Sequence, residues 1–348
     1  MRKGLGKHLL RAALFIGTAI SLFFVPWLLV KAWILPLPDT VEEQLKQGVS
    51  HGFEGIIVYI DQAGKTPQQF AAGWHNRDSK TSAKTDALFK IASINKLYDA
   101  LALTKLVADG RLSLDKTIAD YLPELIGRIE HADQITLRLM VQHRSGIPNF
   151  TDAPNFWAEP TSTYEESLAL ILDKPANFKP GEDYEYSNTN YLLLNKIMNN
   201  ELGYDSFKFI EKEILQPLSL NSTFNSSKQV DMSQVMSGYH VGYPHDLKEG
   251  EHGMLATAED VGVFLRALND GTIFEGEERE IYSSIYEYEH GGWIPGYQSF
   301  ATYHQDINTV MIVFYNTTDP KLYYWNLSEI INSRIIKILK KQNNPEPH

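Results

Sequence analysis

The chain has 348 residues, of which 43% are hydrophobic and 22% are charged, so it has the composition of a folded protein with a sizeable core. Its net charge of −11 argues against a nucleic-acid partner, because phosphate contacts need clustered Lys and Arg. Cysteine is absent, which excludes disulfides and thiol nucleophiles. The 11 histidines have no metal-ligand spacing and no nucleotide-binding glycine motif occurs, so we expect neither a metal nor a cofactor.

The N-terminal segment differs in composition from the rest of the chain. Basic residues between positions 2 and 11 precede the uncharged stretch Ala12–Val30, which at helical rise would span roughly 30 Å, the thickness of a hydrocarbon core. Trp27 and Trp33 lie near its far end, where aromatic rings favour the membrane interface. The pattern predicts a signal-anchor helix that crosses the lipid bilayer over residues 12–30. A cleavable signal peptide and a buried helix of a soluble protein are the alternatives.

Basic residues before an apolar span keep the N-terminus in the cytoplasm. We therefore expect a single-pass type II membrane protein whose main domain lies outside the cytoplasm, in the periplasm. Residues 1–38 would comprise the basic segment, the anchor and a proline-containing linker, and residues 343–348 would form a disordered tail.

Residues 39–342 combine strand patterns at both ends with helical patterns between them. The runs of strand character are Ile56–Ile60, Gln68–Trp74, Tyr297–Tyr303 and Thr309–Tyr315. We predict an α+β fold in which one antiparallel sheet, flanked by helices, is built from about 39–92 and 280–342. An all-helical domain would be inserted at about 93–279. Such an arrangement creates a cleft between sheet and insert, where a site is expected.

The strongest chemical signal is Ser93 followed by Lys96 at the start of an apolar helix. The two side chains are one turn apart and share a face. A serine hydroxyl becomes a nucleophile when a neighbour takes its proton, and burial disfavours the ammonium form of a lysine, which makes it a usable base. Ser113 and Lys116 repeat the spacing, but in a polar turn segment. For Ser93 itself, a helix cap beside a surface lysine is the alternative.

Two further motifs carry groups that would complete such a site. In Tyr186–Asn188, a phenol near a lysine relays a proton and an amide orients the lysine and a substrate carbonyl. In His290–Gly292, the glycines let a substrate backbone lie against a strand edge. Each motif has a second copy, at 324–326 and at 240–242, so neither is convincing alone.

Order and context separate the motifs from their second copies. Ser93, Tyr186 and His290 follow one another at intervals of roughly a hundred residues. The segments around them that match one family include Leu88–Ser93, Asp109–Asp115, His143–Pro148, Pro180–Gly181, Thr257–Asp260 and His290–Tyr297. Over most of residues 53–317 the chain resembles the serine β-lactamase-like family. This group holds class C β-lactamases, low-molecular-weight D-alanyl-D-alanine carboxypeptidases and related esterases.

The resemblance implies the fold outlined above and assigns catalytic roles to matching positions. Ser93 would be the acylated nucleophile, and Lys96 and Tyr186 would share proton transfer, with the identity of the base left open. Asn188 would orient Lys96 and the substrate amide.

The third motif departs from the family pattern. His290, followed by Gly291 and Gly292, would stand where the family has a Lys-Thr-Gly strand, and the oxyanion would lie between the backbone N–H groups of Ser93 and Trp293. Because an unperturbed histidine is mostly neutral at pH 7, we expect weaker anchoring of a substrate carboxylate.

We therefore expect a serine hydrolase that acts through an acyl-enzyme on a peptide, amide or ester carbonyl. D-Ala-D-Ala carboxypeptidase-like and esterase-like activities are both admissible, with weak β-lactamase activity beside them. The partners would be a small-molecule or peptide substrate, peptidoglycan among them. The alternatives are a catalytically silent, membrane-tethered, penicillin-binding-like module that binds peptidoglycan or a partner protein, and a transacylase.

Overall fold

A six-stranded antiparallel sheet forms the centre of the fold in this computed structural model, which describes residues 2–250 and 253–343. The strands are β1 Gly55–Gln62, β2 Gln68–Asn76, β3 Thr81–Ser82, β4 Phe89–Lys90, β5 Thr223–Phe224, β6 Tyr239–His240, β7 Leu255–Ala256, β8 His290–Ile294, β9 Tyr297–His304, β10 Thr309–Tyr315 and β11 Thr317–Thr318. The central sheet has the order β3-β2-β1-β10-β9-β8. Since β1 pairs with β10, the prediction of a sheet built from both chain ends is confirmed.

Helices cover both faces of this sheet and are the main regular elements of the chain between β3 and β8. Within the described residues they are α1 Arg2–Leu22, α2 Trp27–Ile34, α3 Val41–Ser50, α4 Asn95–Ala108, α5 Ile118–Tyr121, α6 Leu137–Val141, α7 Tyr164–Ala169, α8 Asn188–Leu202, α9 Ser206–Ile210, α10 Ala258–Asp270, α11 Glu278–Ile285 and α12 Tyr323–Asn343. The predicted tail falls almost entirely on residues 344–348, which lie outside the described residues.

Alternate residues of the central strands pack against different helix layers. In β1, Ile56 and Val58 join the cluster that contains α3 and α12, whereas Ile57 and Tyr59 join the cluster that contains α10. Successive side chains of a strand point to opposite faces, so a sheet covered on both sides needs apolar residues at every position. This explains the continuous apolar runs in β1 and β10.

The helix α10 lies on the sheet, although its residues fall within the segment that the sequence assigns to the helical insert. It packs against β10, β1 and β9. Gly262 permits this close approach, because a Cβ at that position would collide with the ring of Tyr59. The segment predicted as an all-helical insert therefore contributes α10 to the cover of the sheet, and it also contains the short strands β5, β6 and β7.

The predicted single transmembrane helix over residues 12–30 is not found. The helix α1 ends at Leu22, α2 begins at Trp27, and the two are bent by 79°. Pro26 precedes α2 and accounts for the break, because proline lacks an N–H donor and restricts the residue before it. Among the described residues no one helix has both the length and the apolar character to cross a bilayer. The bent pair Leu10–Leu22 and Trp27–Ile34 meets those two criteria only when taken together.

A buried ion pair fixes α11, which leads into β8, against α4. Lys105 Nζ lies 2.9 Å and 3.2 Å from the two carboxylate oxygens of Glu278, and both residues are less than a tenth exposed. The same carboxylate accepts a hydrogen bond from the backbone N–H of Glu275. Breaking one side of such a pair leaves the other charge buried and uncompensated.

We predict that Lys105→Met lowers the free energy of unfolding by about 3–5 kcal/mol, because it leaves the buried Glu278 side chain without its ion-pair partner. The double variant Lys105→Met/Glu278→Leu removes both charges and should recover most of that loss. Urea unfolding of the three proteins measures the effect. A double variant less stable than Lys105→Met would contradict this description of the pair.

Candidate active site

Ser93 lies in a short 3₁₀ turn, Ala92–Ile94, directly before α4. Ala92 has a φ of +49°, in the left-handed region that residues with a side chain rarely adopt. The turn is held from the sheet, since Ser299 Oγ on β9 donates a hydrogen bond to the carbonyl of Ile91 at 2.8 Å. Backbone strain of this kind is concentrated at functional sites, where the surrounding structure maintains it.

The structure brings together Ser93, Lys96, Tyr186 and Asn188 from two separate segments. The hydroxyl of Tyr186 donates to Ser93 Oγ at 2.7 Å, and Lys96 Nζ lies 3.3 Å from the same oxygen. Lys96 Nζ also donates to Asn188 Oδ1 at 3.0 Å. The serine oxygen is thus in direct contact with the two groups that the resemblance designates for proton transfer.

Lys96 is only 4% exposed and has aromatic neighbours. Its Nζ lies 5.2 Å from the ring centroids of both Tyr186 and Tyr191. One turn along α4, burial raises the pKa of the Asp99 carboxyl to about 6. At neutral pH the Asp99 carboxyl is therefore mostly ionised and places a negative charge one turn below Lys96.

Asn188 is oriented by residues that the sequence analysis did not single out. Asn149 Oδ1 accepts from the backbone N–H of Asn188 at 3.0 Å, and Asn188 Nδ2 donates to Thr151 Oγ1 at 3.2 Å. These contacts fix the amide so that its oxygen faces Lys96. The only signal for Asn149 and Thr151 in the sequence is that they directly follow the family-like segment His143–Pro148.

His143 lies behind Tyr186 and positions it. The imidazole stacks on the phenol ring at a centroid distance of 4.4 Å, and His143 Nδ1 accepts from the backbone N–H of Ser187 at 3.1 Å. Burial, followed by the charge of Lys96 and by His290, lowers the pKa of His143 to about 3. The ring is therefore neutral at pH 7, and it contributes packing and an acceptor rather than charge.

His290 begins β8 and borders the same cluster. Its ring stacks on Tyr286 and lies 6.3 Å from the ring of Tyr186, measured between centroids. Burial, and then the nearby Lys96 charge, lowers the pKa of His290 to about 4. The neutral ring has Nδ1 at 2.5 Å from the carbonyl of Gly291, an arrangement in which Nδ1–H donates and Nε2 remains an acceptor.

The two glycines of β8 allow it to lie against the Ser93 turn. A Cβ on Gly292 would collide with Ser299 Oγ, the carbonyl of Ile91 and the side chain of Ala92. A Cβ on Gly291 would press only on the ring edge of Trp325. The position of the oxyanion between the N–H groups of Ser93 and Trp293 stays a prediction, with both residues lining one cavity.

That cavity has a volume of about 820 Å³ and contains the whole cluster. Its apolar lining includes Phe150, Phe156, Trp157, Trp293, Ile294 and Trp325. Among the described residues that line it, the basic side chains are Lys96 and the neutral His290, and the acidic one is Asp152. A substrate carboxylate therefore finds no unoccupied cation among these residues.

The second copies of the motifs have structural roles. Ser113 lies in a turn and accepts from the backbone N–H of Asp115. Residues 324–326 belong to α12. His240 lies in β6, where its Nδ1 contacts Thr318 Oγ1 at 2.7 Å.

We predict that Gly292→Ala lowers kcat/KM at least tenfold while the free energy of unfolding falls by about 1–3 kcal/mol, because the added methyl group moves β8 away from Ser93. Gly291→Ala is the matched control, with a smaller loss expected since the ring of Trp325 is free to shift. Equal activity of Gly292→Ala and the unmodified protein, with hydrolysis of an ester as the assay, would refute this requirement.

The stability of the protein should depend on pH through His143. Between pH 6.5 and about 3 the unfolded chain binds a proton at His143 that the folded protein does not, so the free energy of unfolding falls as the pH falls through this range. His143→Asn retains an acceptor but does not titrate, and we expect it to reduce the slope by about 1 kcal/mol per pH unit. Urea unfolding at several pH values from 7 to 5 measures both slopes. Asp99 affects the pH dependence of the free energy of unfolding in the opposite direction, and equally in both proteins. Identical slopes in the two proteins would therefore exclude a neutral buried His143.

Solved structures with the same fold include several enzymes and binding proteins. The D-amino acid amidase from Ochrobactrum anthropi SV3, complexed with D-phenylalanine, superposes with a TM-score of 0.76 at 21% identity and covers 87% of this chain and 98% of its own. A penicillin-binding protein from Bacillus halodurans has a TM-score of 0.71 at 18% identity, over 84% of this chain and 99% of its own. Identities this low establish the fold alone.

Curated relatives extend the likeness to the sequence. Protein flp of Staphylococcus aureus (strain N315) is 26% identical over 213 residues, which are 58% of this chain and 43% of flp. Penicillin-binding protein 4* of Bacillus subtilis (strain 168) is 22% identical over 246 residues, 70% of this chain and 52% of its own length. The chain thus spans about half the length of the curated relatives it matches. The family model described as Beta-lactamase matches residues 38–284, more than half of the chain. The protein therefore belongs to the beta-lactamase family, within the superfamily of β-lactamase/transpeptidase-like serine hydrolases.

Proposed function

We propose that the protein is a serine hydrolase that acts through an acyl-enzyme on an amide or ester carbonyl. The observation that carries the proposal is the contact of Ser93 Oγ with Tyr186 at 2.7 Å and with Lys96 at 3.3 Å. A nucleophile beside a base that is itself oriented by a third group is the arrangement that activates a serine. Asn188 supplies that third group.

In the acylation step, Ser93 Oγ attacks the carbonyl carbon and its proton passes to the Tyr186–Lys96 pair. The carbon–heteroatom bond then breaks, and the same pair returns the proton to the departing amine or alcohol. In the second step the pair takes a proton from water, which attacks the ester carbonyl. The bond between the acyl carbon and Ser93 Oγ then breaks, the pair returns the proton to Ser93 Oγ, and the acid is released. Either group has the position to act as the base, because both lie within reach of Ser93 Oγ.

The substrate proposed here has no carboxylate that needs a cation in the cleft. Lys96 already contacts Ser93 and Asn188, and His290 with a pKa of about 4 is neutral at pH 7. Binding must then come from the apolar wall of the cavity. Esters and amides with apolar acyl groups fit this site better than D-Ala-terminated peptides or β-lactams. The structural likeness to a D-amino acid amidase supports the inclusion of amides.

We also propose that the N-terminal helices attach the protein to a membrane, with the hydrolase domain outside the cytoplasm. Phe23 and Phe24, between α1 and α2, are 87% and 82% exposed, and Trp33 on α2 is 69% exposed. Large aromatic side chains in water are unfavourable, and the membrane interface accommodates them. A basic segment followed by an apolar one is also the pattern of an export signal, and it supports the placement of the hydrolase domain outside the cytoplasm.

The nucleophile is tested with Ser93→Ala in the full chain. A fluorophosphonate probe and a fluorescent penicillin should label the unmodified protein, and Ser93→Ala should lose the labelling together with turnover of nitrophenyl esters, by at least a thousandfold. Ser113→Ala, at the second copy of the motif, is the matched control and should remain active. We expect faster turnover of nitrophenyl acetate than of a chromogenic cephalosporin.

Labelling that persists in Ser93→Ala would assign the nucleophile elsewhere. Saturable binding of a ligand that Ser93→Ala leaves unchanged, with no turnover of any ester, would favour the catalytically silent module instead.

A further inference from the structure

We propose that the cavity takes substrates with a long apolar chain, and that these substrates enter from an anionic membrane surface on which the N-terminal helices rest. The inference rests on the proposed function and specifies its substrate class. It requires an apolar cavity, a rigid connection from the cavity to the N-terminal helices, and an exposed apolar surface on those helices.

The first requirement is met by the cavity wall. Phe156, Trp157 and Trp293 form a continuous aromatic surface, with Trp157 and Trp293 packed edge to face at 5.7 Å. Ile294 and Trp325 add to it from β8 and α12. A wall of this kind recognises an extended hydrocarbon by the area it buries, and it offers few polar partners to a hydrophilic substrate.

The second requirement is met by the start of α12, which contacts both the cavity and the helix α2. Leu322, just before α12, and Trp325 line the cavity, and Leu322 is 48% exposed. Trp325 also packs on Phe300 at 4.6 Å, in the cluster that holds Leu29 of α2. Between them, the phenol of Tyr323 lies against the backbone of Leu29. The rim of the cavity thus belongs to a segment that packs on α2, the helix that follows the bend at Pro26. We call this bend, residues 23–27, the elbow.

The far end of α2 is fixed as firmly. Arg334 on α12 is 5% exposed, and its guanidinium donates to the carbonyls of Leu35 and Pro36, both at 2.8 Å, and to Gln44 Oε1 at 2.7 Å. Ala32, between the two attachment points, is 2% exposed. Held at both ends, α2 is part of the domain and not a flexible tether. Any surface that α2 contacts is therefore held at a set orientation to the cavity.

The third requirement is met by the elbow between α1 and α2. Phe23, Phe24 and Trp27 are 87%, 82% and 55% exposed. Aromatic rings of this kind insert at the boundary of headgroups and acyl chains, and the basic residues Lys7 and Arg11 on α1 favour anionic lipids. The rest of the chain is acidic, with a net charge of −11 for the whole protein, so attraction to such lipids has to come from this segment. Because Tyr323, the neighbour of Leu322, contacts Leu29 one turn from the elbow, a bilayer that binds the elbow would lie near the rim of the cavity.

The test uses the full chain and vesicles of phosphatidylethanolamine with phosphatidylglycerol. Nitrophenyl dodecanoate carried in the vesicles is compared with nitrophenyl acetate in solution. We expect kcat/KM to be about tenfold or more higher for the dodecanoate, as burial of several methylenes allows. Phe23→Ser/Phe24→Ser should lose cosedimentation with the vesicles and about fivefold or more of the dodecanoate rate, and keep the acetate rate. Ile126→Ser, an exposed apolar residue outside the cavity lining, is the matched control and should change neither.

Leu322→Ser separates the cavity rim from the membrane contact. It should lower the ratio of dodecanoate to acetate hydrolysis and leave cosedimentation unchanged. The inference is overturned if the dodecanoate has no advantage, or if the elbow variant hydrolyses it in vesicles as fast as the unmodified protein. In either case, acetate hydrolysis that requires Ser93 would leave the proposed function standing. If Ser93→Ala retains hydrolysis of both esters, the proposed function and this inference are both rejected.

Discussion

The whole site depends on the close approach of β8 to the turn that carries Ser93. Gly292 lies against the carbonyl of Ile91 and the side chain of Ala92, and there is no room for a side chain between them. Ser299 holds the same carbonyl from the neighbouring strand. These contacts join a turn from the first third of the chain to strands from its last quarter, so the pairing of β8 with β9 sets the distances at the nucleophile. A change that disturbs the pairing of the sheet therefore also disturbs the geometry around Ser93.

The positive charge nearest to Ser93 is that of Lys96. Two imidazoles border the cluster, but burial and the Lys96 charge lower the pKa of His143 to about 3 and that of His290 to about 4, so neither is protonated at pH 7. Asp99, with a pKa of about 6, is mostly ionised there. A second cation beside Lys96 would attract anions into the cleft. Neutral rings in these places preserve the polarity of the site without adding charge.

The parts of the fold that could be predicted from the sequence are those fixed by local pattern. The strands β1 and β10 follow from continuous apolar runs, and β2 and β9 from segments that mix aromatic residues with small and polar ones. The break at Pro26 was not predicted, because the apolar composition of residues 12–30 favours one continuous helix. The convergence of Ser93, Tyr186 and His290 was predictable only from motif order, since second copies at Ser113 and elsewhere share the same local pattern. Asn149 escaped prediction because its role is a tertiary hydrogen bond to Asn188, which no spacing encodes.

The neutral His290 on β8 and the apolar wall of the cavity favour the same kind of substrate, one without a carboxylate. A carboxylate fixed by a lysine gains specificity from a charge-assisted hydrogen bond, which a neutral His290 does not provide. Binding free energy then has to come from buried apolar area, at about 25 cal/mol per Å², and Trp325 supplies part of it. Trp325 lies in the first turn of α12, which also covers one face of the sheet and holds α2 through Arg334. One packing element therefore links the substrate wall, the central sheet and the N-terminal helices, so a surface that restrains α2 also restrains the mouth of the cavity.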